Sequence, residues 1–326
     1  MFNRFIPVIH GAAIDRPDEQ DTITTASAVA ESLRRLGYES EIIALDPNLA
    51  VLPRLAARRP LVAFNLVEAL GGDGARAVLP LAAMDRSGLA YTGAGTAAYA
   101  SSTSKLKAKV RLAAHAIPTP AHWPRGKGVP AGRTVIVKSV DEHGSLGMDG
   151  GCVLPGEGAA AEIRAREARF GGRFFAEEFI AGREFNVALI ETAFGVRVLP
   201  VQEIDLSGLP VDCPPIVDYA AKWDVSCKTY YLTPRRFGLE RKDPGLAQKL
   251  ADIARAAWDA FGMSGYARVD FRVGGDGAPY VLEVNANPCL APDAGFVATA
   301  AEAGLSYDDV VALIVSAAIP AAQRAA

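Results

Sequence analysis

Gly265-Tyr266-Ala267-Arg268-Val269-Asp270-Phe271 and Tyr280-Val281-Leu282-Glu283-Val284-Asn285-Ala286-Asn287-Pro288 are two alternating apolar runs. The turn Gly274-Gly275-Asp276-Gly277 lies between them, and the pattern predicts a hairpin. Each run carries polar residues that an ordinary strand does not turn inward: Asp270, Glu283 and Asn285 all offer oxygen ligands. Side chains two apart on a strand share a face, so Glu283 and Asn285 point the same way, and Arg268 shares a face with Asp270. Three hard oxygen donors on adjacent strands suit Mg²⁺, which prefers carboxylate and carbonyl oxygens plus phosphate. Arg268 is placed to reach the same phosphate. Metal, phosphate and guanidinium together point to phosphoryl transfer from ATP.

Working outward, residues 1–100 alternate strand and helix patterns: strands over Phe5–Ile9, Glu39–Leu45 and Leu61–Leu66, and a helix over Thr22–Leu36 that stops at Gly37. That alternation predicts an open, mostly parallel α/β domain. Residues 101–182 hold a basic helix (Ser104–Ala114), the punctuation Ile117-Pro118-Thr119-Pro120, strands over Thr134–Ser139, Gly151–Leu154 and Arg173–Ile180, and a helix over Ala159–Phe170. Residues 183–326 read as strands over Glu184–Glu191 and Val196–Glu203, a loop from Ser207 to Pro234, a helix over Pro244–Phe261, the hairpin, a helix over Tyr307–Ala318 and a frayed tail, Ala321–Ala326. The expected class is α/β, turning α+β in the C-terminal parts. Three domains are expected: the open parallel one, a small central β-rich one and a larger C-terminal one with an antiparallel sheet.

Lys138 closes the run Val135-Ile136-Val137, where a lysine can place its charge on a phosphate while its stem packs. The stretch from Glu142 to Gly151 follows, with His143 and Ser145 among its glycines. It reads equally as a backbone cradle for an anion and as a plain hairpin turn. In Phe174-Phe175-Ala176-Glu177-Glu178-Phe179-Ile180-Ala181-Gly182-Arg183-Glu184-Phe185-Asn186 a strand meets a short link and a second strand. Such a link can present backbone to adenine and a carboxylate to ribose, or it is a surface hairpin with solvated glutamates.

Taken together, Lys138, the Gly/Ser loop, the Glu177–Glu184 run, Arg268 with Asp270, and Glu283 with Asn285 and Pro288 resemble the ATP-grasp ligases, and among them the D-alanine–D-alanine ligases. Gly93-Ala94-Gly95, Lys105 to Lys109, Ile117 to Pro120, Asp218 to Trp223 and Ala300 to Tyr307 extend the likeness over most of the chain from about residue 60. The resemblance implies a three-domain ATP-grasp fold and a role for each matching residue. Lys105 and Lys138 would contact ATP phosphates, and Ser145 would cap them. Glu177, Glu178 and Ile180 would border adenine, the last two largely through backbone. Glu184 would hold the ribose, and Lys222 would reach the phosphates. Asp270, Glu283 and Asn285 would bind two Mg²⁺, with Mn²⁺ as a substitute. Arg268 would stabilise an acyl phosphate and the tetrahedral intermediate after it.

The chain also departs from that family. Its first strand runs into His10-Gly11-Ala12-Ala13-Ile14-Asp15-Arg16-Pro17-Asp18-Glu19 where the family has a Gly-Gly-x-Ser-x-Glu turn. Ala294-Gly295 stands at the family's Ser-Leu pair, Cys289 at a glycine, and Ser104 at an aspartate. ATP chemistry is expected, while D-alanine specificity is left open. Three residues are candidate substrate contacts: His10, at the end of the first strand; Glu68, after another strand; and Cys289, which reads as a nucleophile or, with no histidine near it in sequence, as a small packing residue. His143 is a phosphate contact or a solvated loop residue, and Arg235-Arg236 a carboxylate site or a surface pair.

Composition narrows the class. The 326 residues carry a net charge of −3 and no long basic run, so nucleic acid is not an expected partner. No apolar stretch is long enough to span a bilayer, and the N-terminus lacks a signal-peptide pattern. Four scattered cysteines have no metal-type spacing, as in a reduced cytoplasmic protein. The expectation is an ATP-dependent carboxylate–amine ligase that forms a dipeptide or related amide through an acyl phosphate, with small amino acids or carboxylates as substrates and a homodimer as its assembly. A ligase for a different amino acid pair or a hydroxy acid is the first alternative. A non-catalytic ATP-binding regulatory protein is the second.

Overall fold

Among the described residues, three β-sheets are laid down in chain order. The computed structural model describes residues 4–12, 17–142 and 144–319, apart from the side chains of residues 17–19. His143, residues 13–16 and the tail Ala321–Ala326 therefore lie outside the described residues. The first sheet is parallel, in the order β2-β1-β3, from β1 (Val8–Gly11), β2 (Ile42–Leu45) and β3 (Phe64–Asn65). It is shorter than the sequence pattern suggests: Phe5 makes only an isolated bridge to Glu39, and within Leu61–Leu66 only Phe64 and Asn65 pair with β1, while Ala63 makes an isolated bridge to Tyr91.

The second sheet is antiparallel, in the order β4-β7-β5-β6, from β4 (His122–Trp123), β5 (Thr134–Ser139), β6 (Val153–Pro155) and β7 (Phe174–Glu178). It keeps a small core of its own: Val135, Val137, Phe174 and Ala176 pack under Ala159 and Ile163 of the helix Ala159–Phe170.

The third sheet is six-stranded, built from β8 (Gly182–Thr192), β9 (Gly195–Val198), β10 (Gln202–Ile204), β11 (Arg235–Arg236), β12 (Tyr266–Gly274) and β13 (Pro279–Asn285). Its path is β11-β10-β8-β12-β13, and β9 pairs with the far end of β8. The single strand expected over Val196–Glu203 is thus two strands. Pro200 has no N–H to give the ladder, and the Val201 N–H is turned to Glu240 Oε1 at 2.7 Å. The expected loop from Ser207 to Pro234 contains a short helix, Tyr219–Trp223, whose Asp218 Oδ1 accepts from the Ala221 N–H at 2.8 Å.

Alternation sorts β8, β12 and β13 into two faces. Phe185, Val187, Val269, Phe271, Val281 and Val284 are buried on one. They pack with the helix Pro244–Phe261, which starts at Asp243-Pro244 and ends at Gly262 with φ 62°. The same core takes in Leu45, Leu52 and Leu81 from the first hundred residues. A second shared core joins Val29 and Leu33 of the helix Pro17–Arg35 to Phe296, Val310 and Ile314 near the C-terminus. The first and third sheets are therefore one packed body, and the central sheet touches it through a much smaller apolar cluster of Ile136, Cys152 and Ile216.

A polar tie strengthens the closure of the chain ends. Ser32 Oγ donates to Asp308 Oδ1 at 2.6 Å, and Arg35 donates to both oxygens at 2.7 and 2.9 Å. These hydrogen bonds pull the Asp308 carboxyl down to about 2 from 3.8. A carboxyl whose pKa is lower in the folded state stabilises above its unfolded value and loses that contribution as pH falls through the folded one. Asp308→Asn is expected to lower Tm at neutral pH, with the gap to the native protein closing between 3.8 and about 2 in a thermal-melt series.

Candidate active site

The polar face of the third sheet is the floor of a cleft, and strand register decides which side chains meet on it. Asp270 is paired with Asn186 on one side and Glu283 on the other; Arg268 is opposite Asn285, and Arg272 opposite Glu184. Gln202 is opposite Asn186, which extends the row to β10. A cavity of about 890 Å³ lies over this floor, roofed by Ile136 and Lys138 of the central sheet and by the loop from Gly144 to Met148. The pairing of β12 and β13 shifts after Asp270, leaving Leu282 as an extra residue. This bulge turns both Leu282 and Glu283 to the cleft.

Arg268 and Asp270 are held as a two-pronged pair, Nε to Oδ1 at 2.7 Å and Nη2 to Oδ2 at 2.8 Å. Asn186 Nδ2 donates to the same Oδ1 at 2.9 Å. Burial opposes charge on Arg268, but Asp270 and then Glu283 outweigh it and raise the guanidinium further above its usual range. Lys105 Nζ lies 3.6 Å from Glu283 Oε2. Asn285 Oδ1 accepts from the Asn287 N–H at 2.9 Å, which fixes the amide plane. Tyr266 in turn donates to Asn287 Oδ1 at 2.6 Å.

The donor set suits a hard divalent cation. Asp270 has about four lone-pair sites, and the three donors above leave room for one more. Glu283 and Asn285 add oxygens on the same face. Among the described residues no three of His, Cys, Asp and Glu converge, so two carboxylates and one amide are what the cleft offers a metal.

Lys138 donates to Glu177 Oε1 at 2.8 Å, and Lys109 closes on Glu177 Oε2. Sequence reasoning gave Lys109 no role beyond its place in the matching stretch Lys105 to Lys109; it stands four residues after Lys105, on the same helix face. It meets Glu177, whose side chain is only 1 % exposed and engaged by two lysines. Its carboxylate serves as their counterion at the cavity wall. Burial would raise the Glu177 carboxyl, but the two lysines outweigh it and hold it below its usual range. Glu178 turns away, with Oε1 accepting from Arg133 Nη1 at 2.6 Å. Its backbone, Phe179 and Ile180 remain along the cavity wall.

The link after Ile180 is held by Gly182, whose φ of 153° and separation of 2.0 Å between a built Cβ and the Val273 carbonyl oxygen leave no room for another residue. Glu184 is fixed by Arg272, a second residue missed in the sequence. Arg272 Nη2 lies 3.0 Å from Glu184 Oε2 and donates to the Pro215 carbonyl at 2.5 Å; Nη1 donates to the Gly182 carbonyl at 3.1 Å. The glycine loop is not a free turn. Ser145, at φ 64°, donates to the Val217 carbonyl at 2.9 Å, and Trp223 Nε1 donates to the Gly144 carbonyl at 2.8 Å. Lys222, one residue earlier, opens into the cleft. Enclosure by the walls, and next Arg268, lower its pKa.

At the far end, Glu68 and Cys289 line the cavity with Gln20, Asp21 and Arg235. His10 does not. It is buried, its Nδ1 is 2.7 Å from the Gly11 carbonyl oxygen, and the cavity wall there is formed by Gly11 and Ala69. The end-of-strand rule finds the right edge of the sheet but misses by one residue, because successive side chains alternate. Cys289 donates to Asp21 Oδ2 at 2.9 Å. Burial first, then Glu68 and Asp21, push its thiol pKa up, so it stays protonated and serves as a wall donor, not a nucleophile. Burial likewise raises the Asp21 carboxyl.

The profile described as the D-ala D-ala ligase C-terminus matches residues 130–316. A D-alanine–D-alanine ligase of Anaeromyxobacter dehalogenans is 30% identical over 319 residues, covering 94% of each chain. That of Chromohalobacter salexigens is 30% identical over 318 residues, covering 94% of this chain and 92% of its own. The crystal structure of D-alanine–D-alanine ligase from Bacillus anthracis complexed with ATP superposes with a TM-score of 0.74 at 19% identity, covering 99% of both chains. That likeness bears on the fold.

Proposed function

The chain belongs to the D-alanine–D-alanine ligase family, and we propose that it joins two small amino acids by activating the carboxylate of one with ATP in the cleft described above. As a family member it is an ATP-dependent ligase with the ATP-grasp fold. The observation that carries the assignment of the site is the single polar face on which Arg268, Asp270, Glu283 and Asn285 meet beneath Lys138 and the Gly144–Met148 loop.

In this reading ATP lies with adenine against Phe179 and Ile180, ribose at Glu184, and phosphates toward Lys105, Lys138, Lys222 and the loop carrying Ser145. Mg²⁺ held by Asp270, Glu283 and Asn285 would neutralise phosphate charge. A substrate carboxylate oxygen attacks the γ-phosphorus, ADP leaves, and an acyl phosphate is formed. The carboxylate, a poor electrophile, thereby gains a good leaving group. The amine of the second substrate, having passed one proton to solvent, adds to the acyl carbon, and the adduct's nitrogen loses a second proton as the phosphate leaves. Arg268 balances the negative charge on the tetrahedral oxygen. Inorganic phosphate then departs and the amide remains. The Trp223–Gly144 and Ser145–Val217 bonds keep the loop over this centre, where water would otherwise hydrolyse the acyl phosphate.

The far end of the cavity sets the substrates. Asp21, Glu68 and Cys289 stand there, and Ala294-Gly295 brings backbone instead of a hydroxyl. D-Alanine paired with itself is the first combination to test by ATP-dependent phosphate release, followed by other D- and L-amino acid pairs and hydroxy acids. Release with none of them would count against the ligase reading of this site. A second expected result concerns Lys138. Lys138→Ala should weaken ATP binding at least about tenfold, since a charge-assisted phosphate contact is lost. Calorimetry giving the native affinity would remove Lys138 from the phosphate site.

A further inference from the structure

Lys109 contacts no substrate in the reaction above, and it does not line the cleft, whereas Lys138 and Glu177 do. Its side chain is 1 % exposed, a depth at which lysine is rarely kept without a partner. Stability is a weak reason for keeping it there, because buried ion pairs often contribute no more than well-packed apolar residues of the same volume. It cannot swing to the phosphates itself. Nζ donates to Thr119 Oγ1 at 2.9 Å, and Thr119 donates to the Val281 carbonyl at 2.8 Å, so the ammonium is anchored to β13.

What Lys109 does control is charge. Glu177 shares its single negative charge between two ammonium groups, Lys109 at Oε2 and Lys138 at Oε1. With both lysines the cluster sums to one positive charge at the cleft wall. Without Lys109, Glu177 and Lys138 form a neutral pair. We infer that Lys109 is a positioning residue for nucleotide binding: by occupying one oxygen of Glu177, it leaves Lys138 a net positive charge to offer the phosphates. This rests on the reading of Lys138 as a phosphate contact.

The test is calorimetry with ATP, ADP and adenosine, together with steady-state kinetics. Lys109→Met is expected to weaken ATP binding on the order of tenfold, the scale of one charge removed at short range in a partly screened site. ADP should lose less, adenosine nothing, and kcat at saturating ATP should stay within a few-fold of native. Adding Glu177→Gln to Lys109→Met restores the charge sum and should recover most of the ATP affinity, although it removes a further ion pair. A purely structural role predicts the reverse: the double variant no better than the single one, and adenosine affinity falling with that of ATP. Either result overturns the inference. Should Lys109→Met not fold, Glu177→Gln alone carries the test. It raises the cluster charge, and ATP binding weaker than native would overturn the inference. Loss of affinity in Lys138→Ala with none in Lys109→Met overturns it alone. No loss in Lys138→Ala brings down the phosphate reading of Lys138 and the inference with it.

Discussion

Glu283→Gln is expected to lower kcat on the order of a thousandfold while leaving the fold intact, the scale reached when a preorganised electrostatic or metal contact is removed at the reacting centre. Glu283 is the cleaner of the two carboxylates to change. It sits at the bulge of β13, with Lys105 at 3.6 Å. Asp270 carries more of the structure, because it accepts two bonds from Arg268 and one from Asn186. Removing Asp270 leaves a guanidinium without its counterion, and breaking a buried pair in that way costs about 3–5 kcal/mol. Asp270→Ala should therefore lose both turnover and stability, and Glu283→Gln turnover alone. Phosphate release and a thermal melt on the same preparations separate the two. Near-native kcat in Glu283→Gln would take that residue out of the site.

Arg272→Met is expected to destabilise the protein by about 3 kcal/mol, the cost of stranding a buried partner charge together with two carbonyls. For a chain of this size that corresponds to a fall in Tm of roughly 4–5 °C. The guanidinium is 5 % exposed, spans Glu184, Gly182 and Pro215, and lies 5.7 Å from the centre of the Phe179 ring. It thus ties the segment before Tyr219 to the link that would hold adenine and ribose. ATP affinity should fall along with the melting temperature. An unshifted melt would mean that these contacts carry no net energy, and an unchanged ATP affinity would detach Glu184 from the nucleotide.

The hairpin that organises the cleft is legible in the sequence because alternation leaves no other place for Asp270, Glu283 and Asn285. The helices Ala159–Phe170, Pro244–Phe261 and Tyr307–Ala318 are legible too. Two of these carry strong end signals: Asp243-Pro244 with Gly262, and the reciprocal Ser306 and Asp309 caps. What could not be read is convergence across the chain. Arg272 meets Glu184, and Asn186 meets Asp270, through the pairing of β8 with β12, which no local pattern specifies. Glu177 looks like a solvated strand residue until the helix Lys105–Ala114 brings Lys109 against it. His10 shows the limit of a positional rule: it names the correct sheet edge and picks the wrong face.

The uneven division of apolar packing has a mechanical consequence. The first and third sheets are welded through two large shared cores, whereas the central sheet keeps a six-residue core of its own and meets its neighbours through ammonium–carboxylate contacts, one pinned loop and a small apolar cluster of Ile136, Cys152 and Ile216. Rocking that roof outward to admit a nucleotide or discharge a product would exchange polar contacts for hydration and part at most one small apolar cluster, leaving both large cores intact. Entry and exit can therefore recur every turnover without loosening the floor on which the bond is made.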